Sequence, residues 1–436
     1  MQRIVIVGGG AGGLVLATRL GKSLGKNGLA EITLVDLART HVWKPLLHQL
    51  AAGSFDTHAE EIEYLAQAHA KHFKFRLGRL AGLDRRSKTL QLAASHDESG
   101  REITPVQALG YDTLVLAVGS QTNDFGTPGA AEHAVKLDTP QAARQLHERL
   151  INACIRAQTV ARTAQDGRLS VVIVGGGATG VELAAELHAA ARVLASYGFD
   201  HIDPQKDLRI VLVEAAPRLL AQLPERVSQS ALRELRKLAI EVHTGEQVVE
   251  VNAGSLRMAS GKVLPSSITV WAAGVKADDF LKWLGGSEPL ETTRINQLLV
   301  KGNLQTTRDP DIYAFGDCAA CQQADGSWVP PRAQAAYQQA MYLADALPGL
   351  PRGQTVPPFV YRDKGSLVSL SEYSSVGSLM GSLSKGSFFV EGQLAKLMYW
   401  ALHKQHQMAL VGFGKMALVT LSEMIDRTHR PRIKLH

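Results

Sequence analysis

Ile4-Val5-Ile6-Val7 is an unbroken β-branched run, and five of the six residues after it are glycine. A continuous apolar run of this kind predicts a strand buried on both faces of a parallel sheet. Leu14–Leu20 then has helical character, and Glu31–Val35 predicts a second strand that stops at Asp36. The pattern is written again further along. Val171–Val174 leads into Gly175-Gly176-Gly177-Ala178-Thr179-Gly180, a helical stretch covers Val181–Leu187, and Arg209–Val213 ends at Glu214. Strand, glycine turn, helix and strand, twice over, predict an α/β chain with two parallel sheets.

The glycines are spaced for a purpose. Gly8, Gly10 and Gly13 fit G-x-G-x-x-G, and Gly175, Gly177 and Gly180 fit it again. In this dinucleotide fingerprint the first glycine makes a tight turn, and the second lets the backbone approach a pyrophosphate. The third allows close helix–strand packing, and an acid ending the next strand binds ribose hydroxyls. Asp36 follows its third glycine by 23 residues and Glu214 by 34, against a usual motif-to-acid spacing of about 20. The second excess is expected in a longer helix and the turn-rich loop Tyr197–Pro204. Ala215 and Ala216 offer no arginine for a 2′-phosphate, which favours NADH over NADPH, with Arg218 close enough to keep NADPH open. Two dinucleotides in one chain suit hydride transfer between a nicotinamide that comes and goes and a flavin that stays.

Composition narrows the classes. With 436 residues, about three domains are expected. An apolar content of 45% with 20% charged residues excludes wholesale disorder. Three cysteines cannot form a disulfide framework, and the apolar stretch at the start is too short for a secretory signal, so a reducing compartment is expected. No run approaches the roughly 18–20 apolar residues of a spanning helix. The net charge of +6 is compatible with an anionic partner or a membrane surface. Nucleic acid is not expected, since no basic cluster is interleaved with aromatics.

On these motifs the sequence resembles the two-dinucleotide-binding-domain flavoproteins of the glutathione-reductase type, and within them most of all the type II NADH dehydrogenases. The resemblance runs through nearly the whole chain. Tyr111–Ser120 matches the strand that returns from the FAD domain, Thr269–Gly274 its counterpart after the second unit, and Asp311–Asp317 the second FAD motif. His41–His48 resembles the segment beside the flavin, where disulfide reductases carry a redox cysteine pair and this chain has none. Ala333-Gln334-Ala335-Ala336-Tyr337-Gln338 matches the A-Q-x-A-x-Q motif on the quinone side. Four apart on a helix, Gln334 and Gln338 would share a face, and an amide can bond a quinone carbonyl without adding charge.

The resemblance implies an α/β fold with two Rossmann-like domains, for FAD and for NADH, plus a C-terminal membrane-associating region with amphipathic helices. The expected boundaries are 1–145 and 276–345 for the two parts of the FAD domain, 146–275 for the NADH domain, and 346–436 for the C-terminal region. FAD would be held by Gly8, Gly10, Gly13, Asp36, Lys44, Gly119 and Asp317, and NADH by Gly175, Gly177, Gly180, Glu214 and Gly274. Catalysis would fall to Glu182, Gln334 and Gln338, with no metal. The implied reaction is electron transfer from NADH through FAD to a membrane quinone in a respiratory chain, without proton pumping. A homodimer on the cytoplasmic face of the cell membrane is implied with it.

Several residues support more than one reading. Asp317 also suits a helix N-cap, because Cys318-Ala319-Ala320 could begin a helix. Glu182, placed in the first turn of its helix, would either serve the helix dipole, which depresses a carboxyl pKa, or give a proton, which needs that pKa raised. Cys318 and Cys321 form C-x-x-C but are read as packing, as is Cys154. The three cysteines keep sulfide:quinone oxidoreduction as an alternative, and an NADH-responsive flavoprotein with a binding or signalling role is another. The proline-rich stretch 346–360 marks a boundary. Residues 391–436 hold seven Lys or Arg against three Asp or Glu, hence +4 of the net +6. There, Leu394, Leu397, Met398 and Ala401 line one helical face, with Lys396, His403, Lys404 and His406 elsewhere. Phe413, Met416, Ala417, Leu421 and Met424 line another, opposite Lys415, Glu423 and Asp426. Such basic amphipathic helices suit a membrane surface.

Overall fold

The computed structural model describes residues 1–55, 60–97, 99–159, 169–196, 208–352, 356–380 and 387–426. The expected loop Tyr197–Pro204 and the basic terminus 427–436 lie outside the described residues. By its packing the chain divides into two compact units. Met1–Trp43, Glu60–Gln121 and Val275–Arg362 form the first; Lys44–Ala59, Thr122–Gly274 and Asp363–His436 form the second. The expected boundary after residue 145 falls inside the helix Pro140–Thr159, and residues from Asp363 onward pack with the second unit. The helices that position the site are α1 (Gly13–Leu20), α2 (Leu47–Ala52), α3 (Ala178–Ser196), α4 (Ala333–Ala346), α5 (Gln393–Val411) and α6 (Phe413–Asp426).

The first unit is built on a five-stranded sheet in the spatial order Ile312–Ala314, Thr113–Leu116, Gln2–Val7, Ala30–Asp36, Lys74–Leu77, all parallel. Ile4, Val5, Ile6 and Val7 are all buried, as a strand with both faces covered requires. The second unit repeats the plan in the order Ala134–Lys136, Ile268–Trp271, Leu169–Val174, Leu208–Glu214, Glu241–Thr244. In each sheet the strand before the glycine turn lies in the middle, beside the strand that ends in the acid. Ligands of open α/β sheets bind at the carboxyl ends of such strands, where the strand order reverses. An antiparallel sheet of Gly365–Leu370, Ser374–Met380 and Ser387–Glu391 completes the second unit, followed by α5 and α6.

One expectation is corrected here. Cys318-Ala319-Ala320 does not begin a helix: Gly316–Cys318 is a single tight turn, and Ala319–Cys321 is a strand paired in parallel with Leu298–Val300. Alanine favours helix locally, but a partner strand offering its backbone groups overrides that preference. Asp317 is therefore not a helix N-cap. Among the described residues no helix is long and apolar enough to cross a membrane.

Candidate functional site

Both glycine turns are built to the same specification. Gly8 has φ +102° and Gly175 φ +115°, values open to glycine alone at little cost. A Cβ at Gly8 would run into the Ala117 carbonyl, and one at Gly175 into the Ala272–Ala273 backbone. A Cβ at Gly13 or Gly180 would meet the carbonyl oxygen of Gly8 or Gly175, so the third glycine lets each helix close on its own turn. Gly10 and Gly177 have no atom within 4 Å of where a Cβ would stand. Each thus presents bare backbone to open space at a helix N-terminus, the setting in which a pyrophosphate is held.

The acids lock these turns. Asp36 accepts hydrogen bonds from the Gly9 amide at 2.6 Å and the Ala38 amide at 2.8 Å. Glu214 accepts from the Gly176 amide at 2.5 Å and the Ala216 amide at 2.7 Å. The middle glycines leave room for close neighbours: a Cβ at Gly176 would strike Glu214 itself, and one at Gly9 the Tyr64 ring. Two carboxylate oxygens carry about four acceptor positions, so each acid keeps capacity for ribose hydroxyls. Burial raises the Asp36 carboxyl above its ordinary value, opposed by the backbone amides around it. The Arg218 guanidinium donates to the Leu220 and Ala221 carbonyls, which ties it to its own loop.

The remaining expected residues fall on either unit. In the first, Gly119 has φ +74° with open space at its Cβ position, and Asp317 accepts from the Ser120 hydroxyl at 2.8 Å. In the second, Gly274 packs against Phe125, and Lys44 stands 3.9 Å from Asp138. Gln334 and Gln338 do share one half-buried face of α4, while Ala336, Gln339 and Ala340 turn inward. The Gln338 amide donates to the Arg362 carbonyl at 2.8 Å, and its oxygen accepts from the Arg362 amide at 3.1 Å. Gln339 was missed by sequence reasoning. It is buried and accepts from the Gly316 amide at 2.8 Å, fixing the turn that carries Asp317. Its signal, a polar residue on the inward stripe of an alanine-rich helix, was present.

Glu182 has strongly altered acid–base chemistry. The helix begins at Ala178, not at Val181, because Gly180 lies inside it; Glu182 is therefore beyond the first turn, where the dipole weakens. Its Oε1 accepts from the Ser369 amide at 2.9 Å, and its Oε2 lies 3.6 Å from His48 Nδ1, too far for a hydrogen bond. Burial dominates and pushes the carboxyl up to about 8, although the Ser369 amide and the Tyr399 hydroxyl favour the charged form. The same burial holds the His48 imidazole below its ordinary value, with the charge of Glu186 pulling the other way. At neutral pH this is a protonated acid beside an uncharged imidazole. Of the two readings of Glu182, the raised pKa prevails.

The paired cradles and the buried acid can be set beside known proteins. The model of the pyridine nucleotide-disulphide oxidoreductase family matches residues 2–340. The type II NADH:quinone oxidoreductase of Haemophilus influenzae is 40% identical over the full length of both chains. A type II NADH:quinone oxidoreductase of Mycobacterium tuberculosis is 29% identical, over 94% of this chain and 84% of that one. The chain belongs to the type II NADH:quinone oxidoreductases. The solved structure of NDH2 from Plasmodium falciparum in complex with NADH shares the fold, with a TM-score of 0.82 at 19% identity over 99% of this chain and all of that one. The sulfide:quinone oxidoreductase of Aquifex aeolicus is a more distant likeness of fold, with a TM-score of 0.72 at 16% identity over 94% of this chain and 92% of that one.

For a type II NADH:quinone oxidoreductase of this larger family, the cysteines matter by their inertness. Cys154, Cys318 and Cys321 are free and buried, and burial pushes all three thiols up to about 11. A nucleophilic thiolate needs the opposite shift. Among the described residues no group of three or more His, Cys, Asp or Glu side chains is placed to hold a metal ion.

The C-terminal helices are oriented in a way their sequence did not show. Lys404, His403, His406 and Gln407 are buried, whereas Leu394, Leu397, Phe413, Leu418 and Leu421 are each more than half exposed. Lys404 donates to both Glu423 oxygens, at 2.8 and 2.7 Å, and to Gln407 at 2.9 Å, joining α5 to α6. Four polar side chains of α5 face inward, while large apolar side chains of both helices face outward.

Proposed function

We infer that this chain oxidises NADH and reduces a quinone at a membrane surface. The observation that carries the reading is the duplicated cradle, in which bare glycine backbone faces open space and an acid clamps the turn. Gly8, Gly10, Gly13 and Asp36, with Gly119 and Asp317, would hold FAD. Gly175, Gly177, Gly180 and Glu214, with Gly274, would hold NADH. FAD, when bound, supplies a carrier that takes a hydride from NADH and gives two electrons to the quinone.

The chain's own residues do the rest. The two cradles would hold the pyrophosphates by backbone amides and helix N-termini, and the two acids would select ribose. With Arg218 held by carbonyls of its own loop, Glu214 disfavours a 2′-phosphate, so NADH is the substrate. Glu182 carries its proton at neutral pH, and we assign it as a proton donor in quinone reduction. Gln334 is assigned to the quinone carbonyl, and Gln338 braces the segment at Arg362. Buried, protonated thiols argue against sulfide oxidation. The exposed apolar stripes of α5 and α6 suit a lipid surface, and we place the chain, as a homodimer, on the cytoplasmic face of the membrane.

Steady-state oxidation of NADH by the FAD-loaded protein with a short-chain quinone tests this. Turnover with NADH well above that with NADPH is expected. Flavin that NADH bleaches but quinone never reoxidises would sink the quinone assignment.

A further inference from the structure

The middle residue of each glycine triplet has a carbonyl, and its partners differ between the two units. In the first, the Gly9 carbonyl accepts two side-chain hydrogen bonds, from the Tyr64 hydroxyl at 2.8 Å and from His41 Nδ1 at 2.9 Å. A carbonyl only accepts, so Nδ1 carries the ring hydrogen. Burial holds the imidazole down to about 4 and keeps the phenol well above its ordinary value, so both donors are uncharged at neutral pH. In the second, the Gly176 carbonyl accepts one main-chain amide, that of Leu220, at 2.8 Å.

Local structure brings the two donors together. Thr40–His41 pairs antiparallel with Ile62–Glu63, and the Tyr64 amide donates to the Arg39 carbonyl at 3.0 Å. The His41 and Tyr64 rings then lie 6.4 Å apart, both buried, with Tyr64 stacked on Phe75 at 5.0 Å. On the other side of Gly9, Asp36 accepts from its amide. A peptide is planar and trans, so its C=O and N–H point opposite ways. With the Gly9 carbonyl turned to Tyr64 and His41, the Gly10 N–H points away from them, and Gly10 is where the backbone meets open space. Between two glycines this peptide could otherwise turn over at little cost, since neither residue has a Cβ to oppose it. Turned over, it would present a carbonyl oxygen where an anion is to be held. Two donors on that oxygen also polarise the peptide and strengthen its N–H as a donor.

We propose that Tyr64 and His41 are positioning residues for the FAD pyrophosphate, holding the Gly9–Gly10 peptide with its N–H toward the anion so that the first cradle keeps its dinucleotide. The proposal rests on the first cradle being the FAD site. It accounts for an asymmetry between two otherwise matching turns. A cofactor that stays meets a peptide clamped by two buried side chains, whereas a substrate that comes and goes meets one held by a single loop amide. Holding the peptide in its binding orientation beforehand spares the cost of ordering it when the dinucleotide arrives.

The test uses the FAD-loaded full chain and two readouts that need no turnover. Loss of FAD is followed as recovery of flavin fluorescence after dilution, and phosphorus NMR of the bound FAD reports on the pyrophosphate itself. Tyr64→Phe removes one oxygen and keeps the ring; it should shed FAD about tenfold faster, with the phosphorus resonances displaced. Adding His41→Leu should bring the loss to about a hundredfold faster. His41→Asn, whose side-chain amide can donate where Nδ1 does, should retain FAD better than His41→Leu. Equal loss from these two would mean that His41 only fills space, and would overturn the proposal. Gly10→Ala tests the site assignment separately, because it adds a methyl group where no protein atom stands within 4 Å; it too should shed FAD. Parent-like retention and phosphorus resonances in the Tyr64→Phe, His41→Leu protein, with FAD lost from Gly10→Ala, overturn the clamp and leave the assignment standing. Parent-like retention in Gly10→Ala overturns the assignment and the clamp together.

Discussion

Glu182 couples one side chain to the pH dependence of the whole fold. Its ordinary value is 4.5, and burial raises it to about 8. Between these values the folded chain keeps a proton that the unfolded chain has released. The stability associated with the neutral form is therefore complete below about 4.5, declines as pH rises, and is gone above about 8. Glu182→Gln copies the neutral form at every pH. Its melting temperature should approach that of the parent near pH 4.5, exceed it increasingly up to pH 8, and then hold a constant margin. The slope from His48, whose burial acts in both proteins, cancels in that difference. Thermal unfolding across this range checks it, and a margin independent of pH would place the raised pKa elsewhere. The quinone-linked rate should fall as pH climbs past 8, because the donor is then unprotonated. Gln339 gives a second prediction at this scale. Gln339→Leu would leave the Gly316 amide without its partner, a cost of about 1–3 kcal/mol. A melting temperature lower by a few degrees, with weaker retention of FAD, is expected.

At the scale of elements, what could be read from sequence depended on whether the signal was local. The glycine fingerprints were legible because each glycine answers a demand within its own turn: a positive φ at Gly8, bare backbone at Gly10, a carbonyl in contact at Gly13. The strands beside them were legible because parallel strands buried on both faces leave continuous apolar runs. Asp317 misled because the groups that decide its surroundings, the strand Leu298–Val300 and the Gln339 side chain, are about twenty residues distant in sequence. The His48–Glu182 pairing spans far more and left no periodicity to find. Lys404 is the clearest case: a lysine in a basic amphipathic helix reads as a wet residue until its partner Glu423 is seen across the hairpin. Removing one member of a buried pair strands the other, at a cost of about 3–5 kcal/mol. Lys404→Met should therefore loosen α6 from α5, seen as faster hydrogen exchange and proteolysis in Phe413–Asp426. Adding Glu423→Met should recover much of the loss. If the double variant is as labile as the single, the pair is not what joins the helices.

At the scale of the whole molecule, the question is what the outward apolar stripes meet. Five large side chains of α5 and α6 stand mostly in solvent while a lysine, two histidines and a glutamine of α5 lie inside. Left in water, this arrangement forgoes the burial of several leucines, each worth about 1.5–3 kcal/mol. A surface that spends stability this way marks an interaction site, and a quinone is soluble in lipid. Replacing Leu397 and Leu421 with aspartate would put two charges into the stripe without touching the Lys404–Glu423 pair. The doubly substituted protein should fail to sediment with phospholipid vesicles that carry down the parent. Its turnover with a water-soluble short-chain quinone should stay near the parent's, while turnover with a long-tailed quinone held in vesicles should fall by about tenfold or more, since two anchoring side chains are lost. This comparison is cleaner than cutting the chain before Ser387, which would also remove a strand of the antiparallel sheet and the Tyr399 hydroxyl beside Glu182. Equal loss of activity with both quinones would mean that the substitutions damage the site itself. Undiminished sedimentation would show that the stripes meet something other than lipid.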